Sequence, residues 1–327
     1  TQSSTLADTT SSAWWYHSVV VPSELSAYHL GTISQPPRRT RPMTGFGTMA
    51  FARALLNRKP TRLIKHAVVA LRGLSQEHAN VLCSDYSDVT VPQIPFHQYM
   101  YEKFKPFHKY TAIECSVTGR KYTFEEVRVK SRNLSKSIRQ KLKLQKDDIV
   151  AIFLPNIPEY IICCLGIMEA GLVVTTMNPI YTAEEVSKQL LDSNAKAIIT
   201  LNQNNLVNTV NAAIRMAKKT LPVIAVKEKE NDDLYQGCID LRELIDQNTD
   251  ISDFYCDGTD RLAFLPYSSG TTGLPKGVEL THLNLVSNLS QVAHPDFNTL
   301  VPANGNFQEI VPGVLPMYHI YGFMVIL

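Results

Sequence analysis

Residues 148–176 read DIVAIFLPNIPEYIICCLGIMEAGLVVTT, and this stretch decides the class of fold. The run Asp148–Leu154 is almost entirely apolar, has the length of a buried strand, and is closed by a Pro-Asn pair. Pro158 suits the first turn of an apolar helix, because its φ angle is already helical. A second short apolar run, Gly171–Thr176, follows. The order strand, helix, strand predicts a parallel βαβ unit whose strands are covered on both faces.

The same alternation continues on both sides of this unit. Two Thr-x-x-Glu capping boxes, beginning at Thr123 and Thr182, predict the starts of amphipathic helices. The other predicted elements are a strand at Ala195–Leu201, a helix at Asn205–Lys218 and a strand at Pro222–Val226. Residues 227–260 are polar and show no helix or strand period, so we predict an irregular connection there. The predicted fold class is therefore α/β, with parallel βαβ layers.

Composition narrows the class of protein. The chain has 327 residues, of which 44% are hydrophobic and 19% charged, and this usage excludes disordered, collagen-like and coiled-coil proteins. A formal net charge of +2 gives no reason to expect a nucleic-acid partner. The longest apolar run, Tyr160–Thr176, is interrupted by Glu169 and is too short to span a bilayer. We predict a globular protein without a transmembrane segment, and its oligomeric state is left open.

The six cysteines are scattered along the chain. They form no Cys-x-x-Cys pair and have no histidine at metal-ligand spacing, so neither a disulfide framework nor a metal site is predicted. Cys163 and Cys164 are adjacent inside an apolar stretch. We interpret them as buried, reduced thiols, because free cysteine packs as a small hydrophobic residue.

The N-terminal quarter differs from the rest in composition. Residues 1–42 begin with a Ser/Thr-rich stretch and are predicted to be a disordered or non-native leader. Residues 43–84 form a basic segment, since no acidic residue occurs between Glu24 and Glu77. On a helix at Pro60–Arg72 one side would carry Arg62, Lys65 and Arg72. An amphipathic, Arg-rich and acid-free segment is typical of a mitochondrial transit region, and the alternative is a solvated basic surface helix.

Residues 267–278 read YSSGTTGLPKGV and follow a predicted strand at Leu262–Leu265. Glycines let backbone N–H groups approach an anion closely, hydroxyl groups add donors, and Lys276 supplies a mobile positive charge. The segment is not a Walker A loop, because the fifth residue after Gly270 is Pro275 and the lysine is followed by glycine. A flexible linker is the alternative, but it has no reason to contain Pro-Lys-Gly-Val. We predict a polyphosphate-binding loop.

This loop is similar to the phosphate-binding signature of the adenylate-forming, or AMP-binding, superfamily. That superfamily includes acyl-CoA synthetases, 4-coumarate–CoA ligases, firefly-type luciferases and the adenylation domains of peptide synthetases. Downstream, residues 315–323, LPMYHIYGF, resemble the family's next motif, most closely in the ligase and luciferase branch. Upstream, Glu-Ala-Gly at 169–171 and Met-Asn-Pro at 177–179 resemble the same branch. The resemblance covers about residues 85–327, which we interpret as an incomplete adenylation domain.

The resemblance implies roles for individual residues. The residues expected to bind the ATP phosphates are Ser268, Ser269, Gly270, Thr271, Thr272, Gly273 and Lys276. Lys276 is also expected to act in catalysis. His319 resembles the histidine that meets the acyl carboxylate and adenylate, and its alternative is a satisfied core histidine. Tyr321 resembles an aromatic position lining the acyl pocket. His282 fits the family string too, and we interpret it as structural.

The resemblance also implies an activity. A carboxylic acid, fatty or arylpropenoic, would react with ATP and Mg²⁺ to give acyl-AMP, and the acyl group would then pass to CoA. The alternatives are a luciferase-like enzyme, an adenylation enzyme that loads a carrier protein, and a catalytically silent protein that binds nucleotide or acyl ligands. The fold expected is the large N-terminal domain of such an enzyme, without its C-terminal lid.

Three further expectations concern the missing motifs, the apolar end and the location in the cell. The adenine-, ribose- and Mg²⁺-binding motifs would lie beyond Leu327, so the chain alone is expected to be inactive. The apolar end Met324–Leu327 is expected to expose hydrophobic surface. A role in fatty-acid metabolism in the mitochondrion is predicted, with the peroxisome or cytoplasm as alternatives.

Overall fold

The computed structural model describes five parts of the chain: residues 18–21, 86–247, 258–268, 275–295 and 300–327. By contacts the chain divides into two units, one of Thr1–Leu25 with Val91–Leu327 and one of Ser26–Thr90. The second unit is described only over residues 86–90. The predicted leader, apart from the backbone of residues 18–21, and the predicted basic helix at 60–72 lie outside the described residues.

The strands of the described residues are, in chain order, β1 (Ser18–Val21), β2 (Thr111–Cys115), β3 (Lys121–Thr123), β4 (Ile149–Phe153), β5 (Val173–Thr176), β6 (Ala197–Leu201), β7 (Val223–Val226), β8 (Cys238–Asp240), β9 (Leu262–Phe264), β10 (Tyr267–Ser268), β11 (Lys276–Gly277), β12 (Leu280–Thr281) and β13 (Ile310–Pro312). The helices are α1 (Phe96–Phe104), α2 (Phe124–Lys141), α3 (Glu159–Glu169), α4 (Ala183–Asp192), α5 (Asn204–Met216), α6 (Arg242–Ile245), α7 (His282–Val292) and α8 (Ile320–Ile326). A 3-10 turn, Lys105–Phe107, follows α1.

The central sheet has seven strands in the order β12-β9-β5-β4-β6-β7-β8. All neighbours in it are parallel except β12, which pairs antiparallel with β9. The central strands are buried on both faces, as their continuous apolar sequences require. The α/β fold with parallel βαβ layers is therefore confirmed.

A second, four-stranded sheet has the order β13-β1-β2-β3. Its strand β1 is parallel to both β13 and β2, whereas β2 and β3 form an antiparallel hairpin. The edge strand β13 belongs to the segment that leads to α8. This sheet therefore places residues 310–312 in a defined position ahead of the predicted histidine motif.

Every residue of α3 is buried, including a glutamate at each end. Gly166 allows this helix to lie against α2, because a Cβ at that position would be only 2.7 Å from the carbonyl oxygen of Ser131. Cys163 and Cys164 on α3 are fully buried and free, which agrees with the interpretation from sequence. Burial raises the pKa of both thiols well above its usual value.

Both predicted capping boxes are confirmed. The hydroxyl of Thr123 accepts the N–H of Glu126, whose carboxylate accepts the N–H of Thr123 at 2.7 Å. Thr182 and Glu185 make the same reciprocal pair at the start of α4. A third box, which the sequence analysis did not identify, starts α7 at Thr281 with an asparagine in place of the glutamate.

The prediction of an irregular connection over residues 227–260 was wrong in part. Cys238–Asp240 forms β8, which pairs parallel with β7 at the edge of the sheet, and the short helix α6 follows it. Asp240 pairs with Lys227 at 3.1 Å. A strand of three residues is too short to show a period in sequence, and its pairing with β7 decides its conformation.

The prediction of an exposed apolar end at Met324–Leu327 was wrong in part, since Met324 is buried whereas Val325, Ile326 and Leu327 are half-buried. Residues 320–326 form α8, in which Phe323 is fully buried and stacks on Phe264 at 4.9 Å between ring centroids. The exposed large apolar residues in this part of the chain lie before or at the start of α8, and they are Val301, Phe307, Ile310, Val314 and Tyr321. None of the described helices has the length and apolar character needed to cross a membrane.

Candidate functional site

Two short paired strands flank the predicted phosphate loop, and we call this pair the phosphate hairpin (residues 267–268 and 276–277). Strands β10 and β11 pair antiparallel, with Tyr267 opposite Gly277 and Ser268 opposite Lys276. Directly opposed residues in such a pair present their side chains on the same face. The side chains of Ser268 and Lys276 therefore lie on the same face of the pair, and both residues are exposed.

Five of the residues assigned to the ATP phosphates lie outside the described residues. They are Ser269, Gly270, Thr271, Thr272 and Gly273. Their assignment stays a prediction from sequence. The structure adds the antiparallel pairing of β10 with β11, the two strands on either side of these five residues.

The base of the phosphate hairpin is held by Tyr267. Its hydroxyl donates to the carboxylate of Asp192, at the end of α4, at 2.5 Å. Burial and that carboxylate together raise the pKa of Tyr267 well above its usual value, so the phenol stays protonated and can donate. Gly277 packs beneath this ring, since a Cβ there would be 3.2 Å from the Leu265 side chain and 3.4 Å from the ring of Tyr267. A larger residue at 277 would have to displace the Leu265 side chain by a few tenths of an ångström.

His319 is exposed and forms the N-cap of α8. Its Nδ1 accepts a hydrogen bond from the backbone N–H of Tyr321 at 3.2 Å. In the neutral ring the proton then lies on Nε2, which makes Nε2 the donor toward any ligand. The exposure of His319 excludes the alternative of a buried core histidine.

Tyr321 lies in the first turn of α8, just after this cap, and is 62% exposed. An apolar cavity of about 90 Å³ lies among α1, α7, β13 and the end of α8, and neither His319 nor Tyr321 lines it. The role of Tyr321 in an acyl pocket stays a prediction.

Gly322 next to it allows α8 to start close to the preceding segment, because a Cβ there would be 2.1 Å from the carbonyl oxygen of Pro316.

The segment before His319, which we call the histidine segment (residues 313–319), is held by Asn156. The amide nitrogen Nδ2 of Asn156 donates to the carbonyl oxygens of Gly313 at 3.0 Å and Leu315 at 2.7 Å. Its Oδ1 accepts the N–H of Met317 at 2.8 Å. The sequence analysis missed this residue. The available signal was a polar side chain directly after a predicted parallel strand.

Asn156 follows β4. In the sheet, the next strand of the chain, β5, lies on one side of β4, and the strand after that, β6, lies on the other side. The order of strands therefore reverses at β4. In open parallel sheets, ligands bind at the carboxyl ends of the strands where this reversal occurs. The histidine segment is bonded to Asn156 after β4 and to Thr176 at the end of β5, so it lies at this carboxyl edge of the sheet.

His282 agrees with its structural interpretation. It is 1% exposed, and its Nδ1 accepts the backbone N–H of Phe96 at 3.2 Å. Burial lowers its pKa to about 4, so its imidazole is neutral at neutral pH.

No metal ligands were assigned from sequence, and the described parts of the chain contain no group of three His, Cys, Asp or Glu that could hold a metal ion. The one carboxylate described above at the phosphate hairpin, that of Asp192, accepts the hydroxyl of Tyr267.

The parallel sheet, the β10–β11 hairpin and the histidine segment at the carboxyl edge define the class of protein as an α/β domain with parallel βαβ layers. The family model described as "AMP-binding enzyme" matches residues 101–327. The chain belongs to this family, of which it contains an N-terminal portion.

The chain is similar to several curated plant proteins. It is 33% identical over 245 residues to 4-coumarate–CoA ligase 1 of Petroselinum crispum, covering 75% of this chain and 43% of that protein. It is 35% identical over 246 residues to 4-coumarate:CoA ligase 1 of Petunia hybrida, with the same coverage. The chain therefore spans less than half the length of these relatives.

Two solved structures show the same fold. A red-emitting luciferase from Phrixothrix hirtus superposes with a TM-score of 0.64 at 19% identity, covering 74% of this chain and 46% of that one. A long-chain-fatty-acid-CoA ligase from Archaeoglobus fulgidus superposes with a TM-score of 0.60 at 21% identity, covering 75% and 46%. At this identity the likeness establishes the fold, which is that of the N-terminal domain of adenylate-forming enzymes.

Proposed function

We propose that the full-length protein containing this chain activates a carboxylic acid with ATP and transfers the acyl group to CoA. The observation that carries the proposal is the pairing of Ser268 with Lys276, which closes a loop of Gly, Ser and Thr in a member of the AMP-binding family. The substrate class is proposed from the relatives: an arylpropenoic acid, as the printed names of the plant ligases indicate, or a fatty acid.

In the first step a carboxylate oxygen attacks the α-phosphorus of ATP. A new P–O bond forms, the bond from the α-phosphorus to the bridging oxygen breaks, and pyrophosphate leaves with the electron pair. Lys276 and the loop N–H and hydroxyl groups bind the phosphate oxygens and stabilise the leaving charge. Nε2–H of His319 donates to the carboxylate and orients it, because Nδ1 is already engaged by Tyr321.

In the second step the thiolate sulfur of CoA attacks the acyl carbonyl carbon of the adenylate. The C–S bond forms, the C–O bond to the phosphate breaks, and AMP leaves. We assign no residue of this chain to the second step. Mg²⁺ belongs to the proposal as an ion that neutralises ATP phosphate charge when bound. The chain by itself is proposed to be inactive.

The test is an assay of the full-length protein with ATP, Mg²⁺, CoA and a panel of acids: 4-coumarate, benzoate, malonate, decanoate and palmitate. Pyrophosphate release that depends on one acid, followed by formation of its CoA thioester, supports the proposal. Acyl-AMP without thioester would favour a luciferase-like or carrier-loading enzyme. Absence of pyrophosphate exchange with every acid would contradict the proposal and favour a silent ligand-binding protein.

We also propose mitochondrial delivery by the basic segment at residues 43–84, whose support is its composition alone. Residues 43–76 fused to a fluorescent protein should direct it to mitochondria. The matched control changes Arg62, Lys65 and Arg72 to Glu and should leave the fusion in the cytosol. A cytosolic signal from the unchanged fusion would show that the segment is an ordinary basic helix.

A further inference from the structure

Strand β5 ends in two adjacent buried threonines, Thr175 and Thr176. Adjacent residues of a strand face opposite sides of the sheet, so their two hydroxyl groups reach different segments. The Thr175 hydroxyl donates to the carbonyl oxygen of Leu265 at 2.8 Å. Leu265 lies between β9 and the phosphate hairpin, and its own N–H donates to the carbonyl oxygen of Val174 at 2.7 Å. The phosphate hairpin therefore begins from a residue bonded twice to β5.

The Thr176 hydroxyl bonds to the other half of the site. It donates to the carbonyl oxygen of Tyr318 at 2.7 Å, directly before His319. On the neighbouring strand end, Asn156 makes its three hydrogen bonds to the same histidine segment. The backbone on the amino side of His319 is thus attached to the rigid carboxyl edge of the central sheet.

Gln189, on α4, orients this arrangement. Its Nε2 donates both to the hydroxyl oxygen of Thr175 at 3.1 Å and to the backbone carbonyl oxygen of Thr176 at 3.0 Å. Since the Thr175 oxygen already accepts a hydrogen bond, its single proton is directed to Leu265. Gln189 is itself buried, so these bonds are shielded from water.

We propose that Thr175 and Thr176 are positioning residues that hold the two halves of the site to one strand end. Thr175 positions the phosphate hairpin, and Thr176 positions His319. The proposal rests on the proposed function in one respect, namely that Lys276 meets ATP and His319 meets the carboxylate. Its physical basis is that two loops attached to the same rigid strand keep a constant separation, which in-line transfer requires.

The first measurement is kinetic and uses the full-length protein. Thr→Val keeps the shape of the side chain and removes only its hydroxyl. Thr175→Val should raise the KM for ATP about fivefold, with little change in the KM for the acid. Thr176→Val should raise the KM for the acid about fivefold, with little change in the KM for ATP, and it should also lower kcat. Thr176→Ser keeps the hydroxyl and should restore most of the loss. The acid is the one from the panel that gives the fastest pyrophosphate release.

The chain offers a matched control in Thr200. It is fully buried on β6 of the same sheet, and within the described residues its hydroxyl has no hydrogen-bond partner. Thr200→Val makes the same chemical change at a residue whose hydroxyl bonds to neither loop, so both KM values should stay within about twofold. Equal effects of the three Thr→Val variants on both KM values would overturn the assignment of separate roles.

The second measurement does not depend on activity. In Thr176→Val, hydrogen exchange should accelerate in residues 317–323 and stay unchanged in residues 264–268. In Thr175→Val it should accelerate in residues 264–268 and stay unchanged in residues 317–323. In Thr200→Val it should stay unchanged in both regions. If these local changes occur but no acid supports pyrophosphate exchange, the positioning role stands and the proposed function fails. If hydrogen exchange is unchanged in both regions, the positioning role is refuted whatever the kinetics show.

Discussion

At the scale of single residues, Lys276 is the charge that the phosphate hairpin presents beside Ser268. In the full-length protein, Lys276→Ala should slow acid-dependent pyrophosphate exchange at least tenfold, because a charge-assisted hydrogen bond to phosphate is lost. Lys276→Arg should restore part of it. The matched control is Lys188→Ala, an exposed lysine that pairs with Glu184 on α4. Unchanged exchange in Lys276→Ala would remove this residue from the mechanism.

Two histidines can be compared directly, since one is exposed and the other is buried. His319→Ala should lower the rate of adenylate formation by about tenfold or more, with little effect on ATP affinity and a loss of about 1 kcal/mol in stability from the lost N-cap of α8. His282→Ala should instead lower the free energy of unfolding by about 1–3 kcal/mol, because the Phe96 N–H loses its acceptor. Rate measurements and thermal melts on both variants separate the roles. A His319→Ala variant that only melts earlier would contradict the assignment.

At the scale of elements, the buried start of α3 depends on Glu159. Its carboxylate accepts from Arg120 at 2.8 Å and from the Tyr122 hydroxyl at 2.6 Å, and it is 3% exposed. Glu159→Ala should lower the free energy of unfolding by about 3 kcal/mol, since it leaves the guanidinium group without its carboxylate. Urea unfolding measures this change. Glu184→Ala, which breaks an exposed pair, is the control and should cost less than about 0.5 kcal/mol.

Helices α1 and α7 meet at a pair of buried histidines, His97 and His282, whose ring centroids are 6.1 Å apart. Burial, and then the neighbouring His282 and Arg132, lower the pKa of His97 to about 3. Burial, and then Arg261, lower that of His282 to about 4. Both rings are therefore neutral when the chain is folded, and both gain protons on unfolding below about pH 6.5.

The sign of the pH dependence follows from these lowered pKa values. The two buried, neutral histidines make their full contribution to the free energy of unfolding above about pH 6.5. This contribution is lost as the pH falls toward about 4. Between about pH 6.5 and pH 5 we expect the free energy of unfolding to fall by up to about 2 kcal/mol for each histidine. Urea unfolding at about pH 7 and pH 5 measures the difference, and His97→Phe should remove about half of it. Equal stability of the unchanged chain at both pH values would refute the prediction.

At the scale of the whole molecule, exposed apolar side chains concentrate between residues 301 and 321. Ile310 and Val314 are 63% and 62% exposed, and Ile310 lies on the edge strand β13. Exposed apolar side chains beside an edge strand favour association. We expect the 327-residue chain expressed alone to self-associate, and Ile310→Lys with Val314→Lys to raise its monomeric fraction in size-exclusion chromatography. A monomeric unchanged chain would contradict this prediction.

The sequence by itself determined the features whose causes are local. The alternation of apolar runs with capped helices predicted the parallel sheet, because period, proline and Thr-x-x-Glu signals act within a few residues. Thr123 and Thr182 begin their helices for that reason. The hydroxyl and glycine chemistry of residues 267–278 likewise predicted a phosphate loop from residue types alone. The resemblance of the chain to the family is confirmed by the match over residues 101–327.

The tertiary structure alone decided the features that join distant parts of the chain. Strand β8 exists through its pairing with β7, and the apolar end is a helix because Phe323 packs on Phe264. Asn156 and Thr176 contact residues more than 140 positions later in the chain, which no local pattern records. The physical reason is that a hydrogen bond between remote segments depends on where the sheet brings them, whereas a cap depends only on its neighbours.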